Sequence, residues 1–254
     1  MNKDIVRQWA NLIAFLFTVT VNGLANALPL NNQTTGEISD SFQVFFVPAG
    51  YVFSIWGLIY LALAGFVIYQ LLPAQGQNPG LQRIGYWFVI SCLANGIWIF
   101  LWHYEYFALT LVAMLVLLIS LIQIYLRLDI GRRKASSSER FFIHLPFSIY
   151  LGWVTVATIA NVTSLLDYLN WNGWGIAPEV WAVIMLVVAA LVSLAMAWLR
   201  ADIAYLLVII WAVVGIAVKQ ADSMLVANTA WAVVVLVAIG VVLAFLRKKQ
   251  VLLA

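Results

Sequence analysis

Charged residues are scarce in this chain, and their scarcity excludes an ordinary soluble domain. Only 9% of the 254 residues are charged, whereas 65% are hydrophobic and the mean hydropathy is +1.01. A soluble domain has about 25% charged residues, so this chain cannot cover its apolar surface with polar groups and is predicted to fold in lipid. The net charge of +3 is too small to form a basic groove, and we therefore predict no nucleic-acid partner.

Cysteine and histidine are almost absent as well. The single cysteine, Cys92, excludes an internal disulfide and, inside an apolar run, is expected to be a small buried hydrophobe. The two histidines, His103 and His144, are expected on opposite sides of the membrane as interfacial polar residues. The alternative, that one of them ligates a metal or the metal of a tetrapyrrole, stays open, although the spacing of His, Cys, Asp and Glu is not typical of zinc or iron sites.

The sequence also lacks the motifs of catalysis and of coupled transport. It contains no nucleotide-binding loop, catalytic triad or pair of carboxylates, so we predict no catalytic residues and do not expect an enzyme. An ion-coupled transporter is expected to carry ionisable groups deep in its helices. The acidic residues here fall at the ends of apolar runs or in loops, apart from Asp222 near the last run, which disfavours coupled transport.

Long apolar runs are what the sequence has in abundance. A helix that crosses a bilayer needs about 20 mostly apolar residues. Short polar turns, such as His103–Glu105 and Arg200–Asp202, separate runs that together are too long for one crossing. The sequence therefore predicts an all-α integral membrane protein with eight transmembrane helices, at residues 9–30, 49–72, 84–103, 106–126, 141–165, 178–199, 203–219 and 227–246.

Basic residues are distributed unevenly over the connections between these runs. If the N-terminus and the even-numbered loops share one side, that side holds twelve basic residues and the other side holds only Lys219. Basic loops concentrate on the cytoplasmic side, so both termini are predicted to be cytoplasmic, in a bacterial cytoplasmic membrane or an organellar membrane. The loop at 131–139 is the main basic segment, and it either only sets topology or also touches anionic lipid. The twelve residues are Lys3, Arg7, Arg83, Arg127, Arg132, Arg133, Lys134, Arg140, Arg200, Arg247, Lys248 and Lys249.

The first apolar run has an alternative interpretation as a signal peptide. Lys3 and Arg7 precede it, and Ala25-Asn26-Ala27 has the small-residue pattern of a cleavage site. Cleavage would leave seven spans with the N-terminus outside. Asn22 and Asn26 lie one turn apart within the run, which favours a helix that packs against neighbours and is retained.

Four of the predicted helices carry polar or aromatic residues along one face, at spacings of three, four or seven. Lipid is as apolar as leucine, so such residues mark the side of a span that faces protein. One interpretation is that they only hold helices together. The other is that they converge on a cavity, where amides form hydrogen bonds and rings form flat walls for a planar ligand. The stripes consist of Asn22 and Asn26; Val52, Trp56 and Tyr60; Asn95, Trp98 and Trp102; and Trp153, Ala157 and Asn161, with Thr158 beside them.

Three of these stripes resemble motifs of the TspO/MBR family, the tryptophan-rich sensory proteins, whose eukaryotic branch is the mitochondrial translocator protein. Their order and separation agree with the family over residues 1–170. The matches are Pro48, Val52, Trp56 and Tyr60 in the second span; Asn95, Trp98 and Trp102 in the third; and Trp153, Val154, Ala157, Thr158 and Asn161 in the fifth.

The sequence departs from the family pattern in three places. Val47 precedes Pro48 where the family commonly has a second proline, and Pro146 lies further from Trp153 than the family's proline does. The family has five spans, whereas this chain continues with three more. We therefore predict two domains, a TspO/MBR-like five-helix domain at 1–170 and a three-helix transmembrane extension at 171–254.

The resemblance implies a five-helix bundle whose pocket is capped by the first loop, here residues 31–47. It implies binding of a planar hydrophobic ligand, a tetrapyrrole such as a porphyrin or a sterol-like lipid, with a sensory, regulatory or ligand-transport role, and it suggests homodimers. The alternatives are an accessory subunit of a larger membrane complex and a permease for hydrophobic solutes. The predicted ligand-binding residues are Asn26, Pro48, Val52, Trp56, Tyr60, Asn95, Trp98, Trp102, Trp153, Ala157, Thr158 and Asn161.

Overall fold

A computed structural model describes residues 3–28 and 30–253, with side chains described as far as Arg247. Pro29, which falls in the first predicted span, and the side chains of Lys248 and Lys249 lie outside the described residues. The described part is built from eight long helices joined by short helical turns and loops. They are α1 (Lys3–Ala27), α2 (Ile55–Leu71), α3 (Trp87–His103), α4 (Phe107–Leu128), α5 (Leu145–Tyr168), α6 (Pro178–Arg200), α7 (Ile203–Lys219) and α8 (Met224–Leu253).

The lengths of these helices are those of a helical membrane protein. Six of the helical segments are long and apolar enough to cross a membrane, and α3 and α7 are shorter apolar helices of 17 residues each. A length of 17 residues lies at the lower limit of the range for a crossing helix. The predicted helical class is therefore confirmed, and eight apolar helices occupy the predicted positions.

The helix bounds differ from the predicted runs mainly where polar residues extend or interrupt a helix. The first helix begins at Lys3, six residues earlier than predicted, because Asp4 and Arg7 form an ion pair of 2.8 Å one turn apart. The third begins at Trp87 because Gly85, at φ 61°, ends a separate short helix at Pro79–Ile84. Glycine adopts this backbone conformation at no steric cost and so ends the short helix there.

The first five long helices form a closed ring. Around the ring, α1 packs on α3, α3 on α4, α4 on α5, α5 on α2, and α2 returns to α1. Small residues let neighbours approach closely, as at Gly152 of α5, where an added Cβ would lie 3.1 Å from Val208 Cβ of α7. The consecutive helices α2 and α3 are therefore not neighbours in the ring, because α1 stands between them on one side and α4 and α5 on the other.

The last three long helices pack on one another and on the outside of the ring. α8 contacts both α6 and α7, and α7 packs along α5 and against the helical turn at Gly50–Ser54. One hydrophobic core includes residues of both groups, such as Phe147 of α5 and Leu206 of α7. The predicted division near residue 170 stays a prediction, since the two groups share this core.

One end of the bundle, which we call the basic end, collects the basic connections. Gln82 Nε2 donates to Asp4 Oδ2 at 3.1 Å, which joins the α2–α3 connection to the start of α1. Arg200 Nη1 lies 2.6 Å from Asp129 Oδ1, which joins the end of α6 to the end of α4. Arg247 of α8 donates to the Trp198 carbonyl of α6. The chain thus returns to this end after every second helix.

The opposite end, which we call the lid end, is formed by the other connections. Gln43 N donates to Asp167 Oδ2 at 3.2 Å, and Lys219 Nζ lies 2.5 Å from Asp40 Oδ1. The α1–α2 connection, the end of α5 and the end of α7 therefore meet here. Of the basic residues counted above, Lys219 belongs to the lid end.

Candidate functional site

A small cavity lies inside the five-helix ring near the lid end. Its volume is about 60 Å³, and its wall is almost entirely apolar. Residues of α2, α3, α4 and α5 line it together with the α1–α2 connection. The lining consists of Thr35, Ser39, Val47, Pro48, Phe53, Trp56, Trp98, Trp102, Met114, Trp153, Val156, Ala157, Ala160, Asn161 and Ser164.

A larger cavity of about 410 Å³ adjoins the small one and lies between α1, α2 and α3. The two cavities share Thr35, Phe53, Trp56 and Trp98 in their walls. Three glycines border the larger space, and a Cβ added at any of them would meet no atom within 4 Å. Its volume falls in the range of about 300–1,000 Å³ that is usual for small-molecule pockets. The remaining lining is Val19, Asn22, Gly23, Asn26, Gly36, Gly57, Tyr60 and Ile99.

Aromatic rings form the wall between and around the two cavities. Trp56 stacks on Tyr60, with ring centroids 5.5 Å apart, and meets Trp153 edge-on at 6.1 Å. On the facing helix, Trp98 stacks on Trp102 at 5.1 Å. Such pairs prefer stacked or edge-to-face arrangements and hold one another in place. The cavities are therefore bounded by flat faces on both the α2 and the α3 side.

The asparagine amides of the stripes bond to other protein groups. Trp98 Nε1 donates to Asn161 Oδ1 at 3.0 Å, and Asn161 Nδ2 donates to Thr110 Oγ1 at 2.9 Å. Asn95 accepts from Asn22 Nδ2 at 2.7 Å and donates to Tyr150 OH at 3.0 Å. These bonds tie α1, α3, α4 and α5 together, and they leave the cavity walls mainly apolar.

Two buried polar atoms at the cavities have no hydrogen-bond partner among the described residues. They are the indole Nε1 of Trp153 and the hydroxyl of Tyr60, and these two residues belong to the walls of the small and the larger cavity respectively. An unpaired buried donor is costly, about 1–3 kcal/mol, and it calls for an explanation such as a ligand or water. Both atoms belong to residues of the predicted stripes.

A short helix at Thr35–Asp40 closes the lid end over the cavities. Thr34 caps it, because its hydroxyl accepts from Glu37 N at 3.3 Å and its backbone N–H donates to Glu37 Oε2 at 2.6 Å. The Thr34 backbone and hydroxyl bonds lower the pKa of Glu37 below its ordinary value of 4.5. The cap is therefore complete above that value and weakens as the pH falls through the lowered pKa.

The end of α3 fastens this lid helix to the ring. The buried His103 ring lies 3.0 Å from Thr35 Oγ1 through Nε2 and 3.1 Å from the Leu30 carbonyl through Nδ1. Trp102 Nε1 donates to the Thr35 carbonyl at 3.2 Å. His103 thus contacts the lid helix with one ring nitrogen and the preceding part of the α1–α2 connection with the other. Among the described residues no group of three potential metal ligands occurs.

Helix α7 supports the cavity wall from outside the ring. Trp211 Nε1 donates to the Val52 carbonyl at 3.0 Å, and Ala49 N donates to the Gly215 carbonyl at 3.1 Å. Val52 packs directly on Gly215, whose missing side chain makes this approach possible. Helix α7 therefore holds the segment that immediately precedes α2.

The structure brings together nine of the twelve predicted ligand-binding residues at the two cavities. Three do not line a cavity: Val52 faces α7, Asn95 bonds within the ring, and Thr158 Oγ1 donates to the Val154 carbonyl of its own helix at 2.7 Å. The nine are Asn26, Pro48, Trp56, Tyr60, Trp98, Trp102, Trp153, Ala157 and Asn161.

Sequence reasoning missed several residues of the cavity walls. Phe53 lies one turn before Trp56 on the same face of the chain, so helical spacing was a usable signal for it. Met114 of α4 has no such signal, because it is one apolar residue among many in its helix. Thr35 and Gly36 belong to the predicted lid, but no sequence pattern singled them out as cavity residues.

We predict that Gly215→Ala destabilises the protein. The new Cβ would overlap Val52 Cγ2 and lie 3.0 Å from Pro48 Cβ, and such overpacking costs about 1–3 kcal/mol. The measurement is the thermal unfolding midpoint of the purified protein in detergent.

Gly240→Ala is the matched control, because its Cβ would lie at an ordinary 3.5 Å from Ala197 Cβ. Equal unfolding midpoints for the two variants would contradict a tight contact between α7 and the start of α2.

We compared the chain with known protein families, curated proteins and solved structures. A family model described as TSPO-like protein matches residues 8–243. The match includes the ring helices and continues through α6 and α7 into α8, beyond the part in which the sequence motifs were found. No curated protein and no solved structure matches the chain. The resemblance drawn from the three stripes is confirmed, and the chain belongs to the TSPO-like family.

Proposed function

We propose that this membrane protein binds a planar hydrophobic ligand, a tetrapyrrole or a sterol-like lipid, in the cavities of its five-helix ring. The observation that carries the proposal is the pairing of flat aromatic walls with two unpaired buried donors. Trp56 and Trp98 border both cavities, while Trp153 Nε1 and Tyr60 OH have no partner among the described residues. Flat rings suit a flat ligand, and the donors suit its few polar groups.

The larger cavity is the main ligand position in this proposal. Its 410 Å³ is suited to a small molecule, whereas the 60 Å³ of the inner cavity is suited to a substituent or a water. A ligand in the larger cavity faces Trp56, Tyr60 and Trp98, with one edge directed toward Trp153. The lid helix, through Thr35 and Gly36, covers it.

We infer further that the chain crosses the membrane eight times, with the basic end cytoplasmic. Ser138 at the basic end and Ala221 at the lid end are exposed, so single cysteines there are expected to react with a membrane-impermeant maleimide on opposite sides. Native Cys92 is buried and should stay unlabelled. In intact cells the maleimide should label Ala221→Cys, and it should label Ser138→Cys only after the membrane is permeabilised. The reverse pattern would overturn the orientation.

We predict that Trp56→Phe combined with Trp153→Phe weakens porphyrin binding about tenfold. Each substitution leaves a smaller ring and loses part of an aromatic contact of about 0.5–1.5 kcal/mol. At Trp153 it also removes the Nε1 donor, whose hydrogen bond to a ligand contributes about 0.5–1.5 kcal/mol, and every 1.4 kcal/mol is tenfold in affinity. Quenching of tryptophan fluorescence by protoporphyrin, titrated into the purified protein, measures the change.

The control for this pair is Trp174→Phe with Trp231→Phe, which removes two exposed indoles that line neither cavity. The control should bind as the native protein does. Unchanged affinity in the Trp56 and Trp153 variant would place the ligand elsewhere. Absence of binding by the native protein, with recovery only inside a larger assembly, would favour the accessory-subunit alternative.

We predict that Gly57→Leu blocks the larger cavity without loosening the fold. The Cβ at Gly57 would meet no atom within 4 Å, so the leucine enters the cavity space, and leucine favours a helix more than glycine does. Protoporphyrin affinity should fall while the unfolding midpoint is kept or raised. Gly57→Ala, which adds little volume, should retain binding, and native affinity in Gly57→Leu would show that the ligand does not use this cavity.

A further inference from the structure

A second cavity system lies at the basic end, far from the aromatic site. Its volume is about 890 Å³. Three parts of the chain form its walls: the α4–α5 loop, the start of α5, and the turn between α6 and α7, with one residue added from α8. The lining is Ile130, Gly131, Arg132, Arg133, Lys134, Ala135, Arg140, His144, Leu145, Ser148, Trp198, Leu199, Arg200, Ala201, Asp202, Ile203, Ala204, Leu207 and Arg247.

Tight contacts join the walls of this cavity to one another. Gly131, at φ 85°, packs so closely on the Arg200 carbonyl that no side chain would fit there. Arg200 Nη1 lies 2.6 Å from Asp129 Oδ1, and Arg132 Nε donates to the Leu199 carbonyl at 3.3 Å. The cavity is therefore preformed between the α4–α5 loop and the end of α6.

Six basic side chains line the cavity, and only some of their charge is neutralised locally. Arg133 pairs with Glu139 and Arg200 pairs with Asp129. Among the described residues Lys134 and Arg140 have no ion-pair partner, and both are exposed. The cavity thus has an excess of positive charge, which attracts an anionic group.

The single acidic residue of the lining already accepts three hydrogen bonds from the protein. The buried carboxylate of Asp202 accepts from Ser148 Oγ at 2.6 Å, from Tyr125 OH at 2.8 Å and from Tyr205 N at 3.3 Å. Its charge is held by donors from three helices. His144, in contrast, lines the cavity with a buried Nε2 that has no hydrogen bond and lies 3.9 Å from Glu139 Oε1.

The outer rim of the same cavity is apolar. Trp198, Leu199 and Leu207 are more than half exposed, on faces of α6 and α7 that point away from the bundle. Arg247 Cζ lies 4.7 Å from the centre of the Trp198 ring, a cation–π contact that places a charge beside this apolar rim. The site therefore combines basic side chains with an exposed apolar surface.

We propose that this cavity binds the phosphate headgroup of an anionic phospholipid, with the acyl chains along Trp198 and Leu207. Arginine recognises phosphate through paired N–H groups, and basic pockets between membrane helices at the cytoplasmic side hold anionic headgroups. A free phosphate anion shares the headgroup chemistry, but it makes no use of the apolar rim. The site is separate from the aromatic cavities, and its occupation is independent of the ligand proposed there.

The test compares lipids bound to the purified full-length protein by native mass spectrometry in detergent. Short-chain phosphatidylglycerol is titrated against phosphatidylcholine, and inorganic phosphate is the separate arm. The native protein should prefer phosphatidylglycerol and should retain it in the presence of inorganic phosphate. The variant Lys134→Gln with Arg140→Gln should lower the phosphatidylglycerol affinity about thirty-fold.

The matched control is Lys3→Gln with Arg83→Gln, which removes the same charge from exposed positions at the same end but outside the cavity. It should bind as the native protein does. An equal loss in both variants would overturn the proposal in favour of general surface charge. Displacement of the lipid by inorganic phosphate would overturn it in favour of a soluble anion.

Discussion

The fold depends on the requirement that polar groups inside a membrane protein find partners within the protein. Two short hydrogen-bond chains meet this requirement in the ring. One runs from Asn22 through Asn95 to Tyr150, at 2.7 and 3.0 Å, and the other from Trp98 through Asn161 to Thr110, at 3.0 and 2.9 Å. They join four of the five ring helices. Because the asparagine amides bond within the protein, the cavity walls consist mostly of aromatic rings and small residues.

This arrangement explains why the same residues looked like both packing groups and ligand-binding groups in the sequence. Helical spacing correctly placed aromatic residues on the inner faces of α2, α3 and α5, and length and hydropathy found all eight apolar helices. Spacing carries no information about partners, however. Asn95 and Trp98 share a stripe, yet the first bonds within the ring while the second borders both cavities.

Other features of the site were beyond sequence reasoning because they depend on contacts between distant parts of the chain. Val52 belongs to the second-span stripe, but its side chain faces Gly215 of α7. This orientation depends on the packing of α7 on the ring, which helical spacing does not predict. The bond between Ala49 N and the Gly215 carbonyl likewise joins residues whose own segments give no sign of meeting. The sequence placed His103 in a polar turn, whereas its two ring nitrogens contact Thr35 and Leu30 of the α1–α2 connection.

The position of α7 gives the last three helices a definite physical role. It bonds to the helical turn before α2 through Trp211 and reaches the lid helix through the ion pair of Lys219 with Asp40. In a bare five-helix ring, the wall at Pro48 and the lid would be held only by contacts within the ring. Here a movement of α7 would shift both together, because one helix contacts both. At its other end, α7 begins beside Asp202 and the basic cavity. The 17-residue helix α7 thus bonds to the wall of the aromatic cavities and, at its other end, lines the basic cavity.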